Sequence, residues 1–256
     1  MKLKLLSTKP IIRFRNILDT ATVLFWVLLF IGFQSNAQEL TLNNALSHKK
    51  NSIIKIASYT AQGDLENLKI ALHDGLDNKL TVNQIKEVLV HLYAYAGFPR
   101  SIRGLQTFLQ VLEDRKNTEI LDERGVEASP ITDSRDKYDR GKEILETLVG
   151  RSLDGPKPAY QEFSPELDRF LKEHLFADIF ERNVLTLQQR ELVTISVIAS
   201  LGTLEPMLKS HLNLSLNVGW QPEQLREFTK VLDGTTTTEN AKAAKLVLKE
   251  VLDNRK

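Results

Sequence analysis

The chain has 256 residues, of which 42% are hydrophobic and 26% charged, a composition that excludes an intrinsically disordered protein. With a formal net charge of only +1, the chain is a poor candidate for nucleic-acid binding, which depends on a strongly basic surface. The absence of cysteine excludes a disulfide framework and any reaction that needs a nucleophilic thiolate.

Residues 1–37 have the pattern of a secretory signal. Five basic residues precede an apolar run from Ala21 to Phe33, and Ser35-Asn36-Ala37 then supplies small residues for cleavage. We therefore expect an exported protein, periplasmic or secreted, that meets the membrane only during export. Cleavage would remove five basic residues and one acidic residue, which changes the formal charge from +1 to −3. The alternative is a retained N-terminal membrane anchor, with an apolar run shorter than the roughly 20 residues of a spanning helix.

A capping signal and regular apolar spacing predict a helix over residues 82 to about 95. Thr81, followed three positions later by Gln84, makes a capping box, and apolar residues then recur at helical intervals. Gly97 predicts a turn, and Pro99 suits the first position of a new helix.

Glu87, His91 and Tyr95 follow one another at intervals of four, so they share one face of that helix. On spacing alone, a Glu and a His in this relation are usually a solvated pair on the polar side. The alternative is a functional site, because the next helix begins nearby with free N–H groups that can receive an anion. Arg100, at that helix start, is then either a substrate clamp or a surface cation.

Residues 116–165 have the character of a connector, with many charges, Gly and Pro and one short helix around residues 140–148. Beyond it, Thr186 and Gln189 predict a second capping box, at the start of a long apolar helix. His73, near two aspartates, offers a possible hard-metal cluster, but no Cys or paired-His spacing supports zinc, and we expect no metal.

The two halves repeat a sequence pattern. The motif Gly63-x-Leu65-Glu66 corresponds to Gly202-x-Leu204-Glu205 at a separation of 139, and Gln84–Val88 corresponds to Gln224–Phe228 at 140. We interpret this as duplication of one helical unit. The predicted organisation is a signal segment at 1–37, a first module at 38–115, a connector at 116–165 and a second module at 166–256.

The two copies keep different polar residues. Val231 and Thr235 stand where the first copy has His91 and Tyr95, whereas His211 stands where the first copy has Ala71. Each copy therefore holds polar side chains that the other lacks, and we expect both copies to contribute to one composite site per chain.

The order Glu87-x3-His91-x3-Tyr95-Ala-Gly-Phe-Pro-Arg100 resembles the carboxymuconolactone decarboxylase family, which belongs with the alkylhydroperoxidase D-like all-helical proteins. The segments from Arg190 to Gly202 and from Ser210 to Gly219 are similar to the front half of the same module. The resemblance implies an all-α fold of two alkylhydroperoxidase D-like modules in tandem. It also implies a homo-oligomer built from such chains.

The reaction named for the family is a decarboxylation of a small carboxylated ring substrate without metal or organic cofactor. The resemblance thus implies a proton shuttle of Glu87, His91 and His211 as catalytic residues, in which Glu87 orients His91 as the acid. Tyr95 and Arg100 would bind the substrate. Lactone isomerisation or hydrolysis would use the same groups.

Two functions are alternatives to a decarboxylase. One is a non-catalytic exported binding or assembly module that keeps the fold. The other is the peroxidase activity of the superfamily, which depends on a pair of cysteines and is disfavoured because the chain has none.

Overall fold

The structure is a computed structural model that describes residues 46–255. Every regular element in this range is a helix, which confirms the predicted all-α class. The signal predicted at residues 1–37 lies outside the described residues. No helix in the described range is long and apolar enough to cross a membrane.

Eleven α-helices and one π-helix follow one another along the described range. They are α1 (His48–Gln62), α2 (Leu65–Asp77), α3 (Val82–His91), α4 (Tyr93–Asn117), α5 (Lys137–Val149), α6 (Ala159–Phe163), α7 (Pro165–Phe170), the π-helix π1 (Leu171–Phe180), α8 (Leu187–Leu201), α9 (Glu205–Asn217), α10 (Pro222–Leu232) and α11 (Thr238–Asp253).

α1 and α8 pack against each other at the centre of the fold, and α3, α4, α9 and α11 also contact α8. Every residue of α8 from Arg190 to Ser200 is buried as a result. Apolar side chains of both halves join into one core, as expected when a helix is covered on all sides. A smaller core lies between α5, π1 and α9, around Leu148, Phe176 and Phe180.

The start of α3 and the bend after it form as the sequence predicts. Thr81 and Gln84 make both hydrogen bonds of the capping box. α3 ends at His91, four residues earlier than predicted, and α4 is interrupted at Gly97, whose φ of 80° and ψ of 161° are not helical. Glycine reaches this region of positive φ without strain, so the predicted turn at Gly97 is confirmed.

Part of the connector packs on the first turn of α3. The N–H groups of Val82 and Asn83 donate to the carbonyl oxygens of Glu123 and Arg124, each over 2.9 Å. A Cβ atom on Gly125 would lie only 2.2 Å from the Thr81 hydroxyl. Connector carbonyls thus satisfy two of the N–H groups that a helix start leaves free.

Helices of the two halves begin at corresponding positions. α1 begins at His48 and α8 at Leu187, 139 residues later, and both have 15 residues. α2 begins at Leu65 and α9 at Glu205, 140 residues later, and both have 13 residues. The spacing agrees with the sequence repeat, while duplication and module boundaries stay predictions.

Candidate active site

A buried group of polar side chains lies where α3 and α4 pack against α8 and α9, beside the end of π1. We call it the polar cluster; it contains Glu87, His91, Tyr95, Arg182, Arg190, Glu191, Thr194 and His211. Elements from both halves of the chain supply its members.

Glu87 and His91 are not a solvated pair, because both have 0% of their surface exposed. The face of α3 that carries them is turned towards α8, where Arg190 and Thr194 receive them. The solvated pair that the spacing alone indicates is therefore wrong. α8, the helix that covers this face, lies about a hundred residues further along the chain, so the local sequence pattern does not predict the burial.

Glu87 is paired with two arginines. Arg190 donates from Nη2 to Glu87 Oε1 over 2.8 Å, and Arg182 donates from Nε and Nη2 to both carboxylate oxygens over 2.9 to 3.1 Å. Burial alone would raise the pKa of Glu87, but these hydrogen bonds and charges outweigh it and lower the pKa below its ordinary value. Glu87 thus stays an anion in the interior.

His91 is hydrogen-bonded at both ring nitrogens. Arg190 Nη1 lies 3.1 Å from Nδ1, and Thr194 Oγ1 lies 3.0 Å from Nε2. Because a guanidinium only donates, Nδ1 must accept, so the ring proton is on Nε2 and is donated to Thr194. The Thr194 hydroxyl in turn donates to the Arg190 carbonyl oxygen.

His91 is therefore held neutral. Burial, followed by the positive charge of Arg190 and the proximity of His211, lowers the pKa of His91 well below its ordinary value. The ring also packs edge-on against Phe180 at the end of π1, with centroids 4.9 Å apart. The expected pairing of Glu87 with His91 is replaced by Arg190, which lies between them and bonds both.

His211 is bonded differently. Its Nδ1 lies 2.9 Å from Oε2 of Glu191, a carboxylate that is completely buried. Its side chain is 15% exposed, and within residues 46–255 its Nε2 has no hydrogen-bond partner. Unlike His91, His211 therefore keeps a ring nitrogen free for a ligand.

Tyr95 stands between the two imidazoles, with its ring centroid 5.6 Å from that of His91 and 5.8 Å from that of His211. Its hydroxyl and Glu191 Oε1 are both buried, and neither has a hydrogen-bond partner in the described part of the chain. Burial and the nearby Glu191 raise the pKa of Tyr95, so the hydroxyl keeps its proton and can donate. The two atoms are an unpaired donor and an unpaired acceptor in the interior of the described chain.

Four of the five predicted site residues, Glu87, His91, Tyr95 and His211, thus lie in the polar cluster, and their roles stay predictions. Arg100 is exposed, and its guanidinium lies against Gly63, where α1 ends. The predicted substrate contact of Arg100 gains no support from this position.

The sequence interpretation assigned no role to Arg182, Arg190, Glu191 or Thr194. A signal was available for two of them, since Arg190 and Glu191 are adjacent charges in a helix that has no other charged residue, and charged residues are rarely buried without a partner. Arg182 and Thr194 gave no local signal. Their relevance depends on contacts with α3.

The possible metal cluster around His73 is not formed. Asp77 instead pairs with Arg115, and Asp74 lies 3.9 Å from Lys55. In the described ranges, no group of three His, Asp or Glu side chains is placed to hold a metal ion.

Residues 165–250 match the carboxymuconolactone decarboxylase family. The matched segment includes Arg190, Glu191 and His211, so the family resemblance expected from the sequence is confirmed there. A comparison with curated proteins found no match.

Proposed function

We propose, from the match of residues 165–250 to the carboxymuconolactone decarboxylase family, that the protein is a cofactor-independent enzyme that transfers a proton on a small carboxylated ring substrate. Decarboxylation, lactone isomerisation and lactone hydrolysis all belong to this class. One contact carries the proposal: the 2.9 Å hydrogen bond between Glu191 and His211, beside the ring of Tyr95.

His211 is the proposed acid and base. As a carboxylate, Glu191 accepts a hydrogen bond from Nδ1–H, which leaves the lone pair on Nε2 and stabilises the imidazolium when Nε2 is protonated. This is the arrangement by which a buried carboxylate fixes the tautomer of a working histidine. Tyr95, with its retained proton, would donate a hydrogen bond to an oxygen that becomes negative.

In a decarboxylation, the bond between the ring carbon and the substrate carboxylate breaks and carbon dioxide leaves. The electron pair moves into the conjugated lactone, where the negative charge on the carbonyl oxygen receives the hydrogen bond of Tyr95. The imidazolium of His211 then delivers its proton to carbon and regains one from water. No other co-reactant is needed.

Glu87, His91 and Arg182 are proposed to act through Arg190. Arg190 is fully buried and bonds Glu87 and His91, and its neighbour in the chain is Glu191. With both nitrogens occupied, His91 has no free lone pair for proton transfer. This assignment moves the chemistry from the predicted Glu87–His91 pair to Glu191 and His211, and makes His91 a positioning residue.

A second candidate is the non-catalytic binding module. Its support is the limited access to the polar cluster, where His91 and Glu191 are completely buried and only part of His211 reaches solvent. Export and homo-oligomer formation remain proposals that rest on the signal pattern and on the family resemblance.

A turnover screen distinguishes the two candidates. Purified full-length protein is incubated with small carboxylated lactones and β-keto acids, and released carbon dioxide is measured together with the loss of ring absorbance. We expect turnover of at least one substrate, lowered by about 100-fold or more in His211→Gln and Glu191→Gln and retained in His174→Gln, whose side chain is exposed and pairs with Asp178. Binding of a lactone without turnover would favour the binding module.

A further inference from the structure

A cavity lies between α5, the loop at residues 150–158 and the start of π1, and its volume is about 380 Å³. None of the residues that line it belongs to the polar cluster. It is large enough for a small organic molecule.

Positive charge exceeds negative charge around this cavity. Lys142, Arg151, Lys157 and Lys172 line it. Three carboxylates form ion pairs with these cations. Asp154 and Glu146 pair with Lys142, and Asp168 pairs with both Lys157 and Lys172.

Arg151 is the one of these four cations that forms no ion pair with a carboxylate in the described chain. Within the same range, its one hydrogen bond runs to the neighbouring Ser152 carbonyl oxygen over 3.5 Å. A guanidinium that faces a cavity without an anion is a fitting partner for a carboxylate, which it can bind through two parallel hydrogen bonds.

Lys172, which lines the cavity, is held by buried contacts and is not a mobile surface lysine. Lys172 and Asp168 are nearly fully buried, and the Lys172 ammonium lies over the ring of Tyr138, 4.8 Å from its centroid. The Tyr138 hydroxyl donates to Asp168 over 2.8 Å. Burial raises the pKa of Asp168, but the hydrogen bonds from Lys172, Lys157 and Tyr138 outweigh it and lower the pKa to about 2.

The remaining lining is largely apolar. Leu145, Leu153, Pro156 and Pro158 face the cavity together with the ring of Tyr138. These side chains suit a hydrophobic body, whereas the surplus cation suits one negative charge.

We propose that this cavity binds a small organic monocarboxylate with an apolar body, whose carboxylate is held by Arg151 with Lys157 and Lys172 beside it. The inference is independent of the proposed function, because it uses no residue of the polar cluster.

Calorimetric titration of the full-length protein with benzoate tests the proposal, with benzamide as the uncharged analogue and phenyl phosphate as the other anion. We expect saturable binding of benzoate, at least about 10-fold weaker binding of benzamide, and a loss of about 10-fold or more in Arg151→Gln, as for one charge-assisted hydrogen-bonded pair. Arg103→Gln, which alters an exposed arginine on α4, should bind benzoate like the unaltered protein.

Three results would overturn the proposal: no saturable benzoate binding, equal binding of benzamide, or unchanged binding in Arg151→Gln. Stronger binding of phenyl phosphate than of benzoate would overturn the carboxylate assignment. His211→Gln separates the two sites, because it should leave benzoate affinity unchanged. Loss of binding in that variant would place benzoate in the polar cluster.

Discussion

Arg190 donates a hydrogen bond to Nδ1 of His91 over 3.1 Å, although the two residues lie 99 positions apart in the chain. The same guanidinium bonds Glu87 over 2.8 Å. One side chain of α8 therefore holds two side chains of α3, and the polar cluster can form only when the two halves of the chain have packed.

Removing the charge of Glu87 should destabilise the protein. In Glu87→Gln, the buried Arg190 loses its carboxylate partner, and we expect the free energy of unfolding to fall by about 3 kcal/mol. Glu227→Gln is the matched control, since Glu227 occupies the corresponding repeat position but is 42% exposed and pairs with Lys230. Urea unfolding should show a change below about 0.5 kcal/mol for this control. Similar losses in both variants would contradict a role for buried charge pairing.

His91 should make stability depend on pH. Its pKa in the folded protein is lowered below the ordinary value of 6.5, so the unfolded chain binds the proton more readily. This contribution to stability is complete above about pH 6.5 and is lost as the pH falls below that value, by up to about 1.4 kcal/mol per pH unit.

The measurement is the free energy of unfolding in urea at several values between about pH 5 and 7.5. His91→Gln should flatten the slope, whereas His174→Gln, at an exposed position, should retain it. The pKa of Glu87 is also lowered, but its contribution is present above the ordinary value of 4.5 and is lost only as the pH falls through the lower folded pKa. An unchanged slope in His91→Gln would show that His91 is not held neutral by its surroundings.

The two histidines of the polar cluster should differ in catalysis. If His211 transfers the proton, His211→Gln lowers kcat by about 10² to 10⁴-fold on any substrate found. His91→Gln should lower kcat less, because His91 acts through Arg190. A larger loss of kcat in His91→Gln than in His211→Gln would return the chemistry to His91.

Gly141 should tolerate no side chain. A Cβ atom there would lie 1.8 Å from the carbonyl oxygen of Lys172, so Gly141→Ala must push α5 away from π1. We expect a loss of about 2 to 3 kcal/mol in thermal or urea unfolding. Gly155→Ala is the control, because nothing lies within 4 Å of a Cβ atom at that position. Equal stability of the two variants would mean that the contact between α5 and π1 is loosely packed.

Local signals predicted the local structure well. The capping boxes at Thr81 and Thr186 and the turn at Gly97 form as predicted, because each depends on residues within a few positions. π1 was not predicted, because its apolar residues fit an α-helix equally well. In the fold, π1 packs against α5, and this contact lies outside the local sequence pattern.

The site was predicted less completely than the helices. Position in the repeat and family resemblance indicated that Glu87, His91 and His211 belong together, but not how they are bonded. The partners of Glu87 are Arg182 and Arg190, 95 and 103 residues away, and nothing near Glu87 in the chain predicts them. Glu87 and His91 have the spacing of a solvated pair, but α8 buries both of them, and they belong to a hydrogen-bonded network of charged side chains in the interior.

The connector residues that bond α3 have a consequence for how this sequence can vary. Glu123 and Arg124 supply carbonyl oxygens to the first turn of α3, and α3 carries Glu87 and His91. A segment with the composition of a spacer is thus fixed in length, because inserting or deleting a residue between positions 118 and 122 would slide these carbonyls out of register. Changes in loop length should be tolerated instead further along the connector, at the exposed residues 131 and 132.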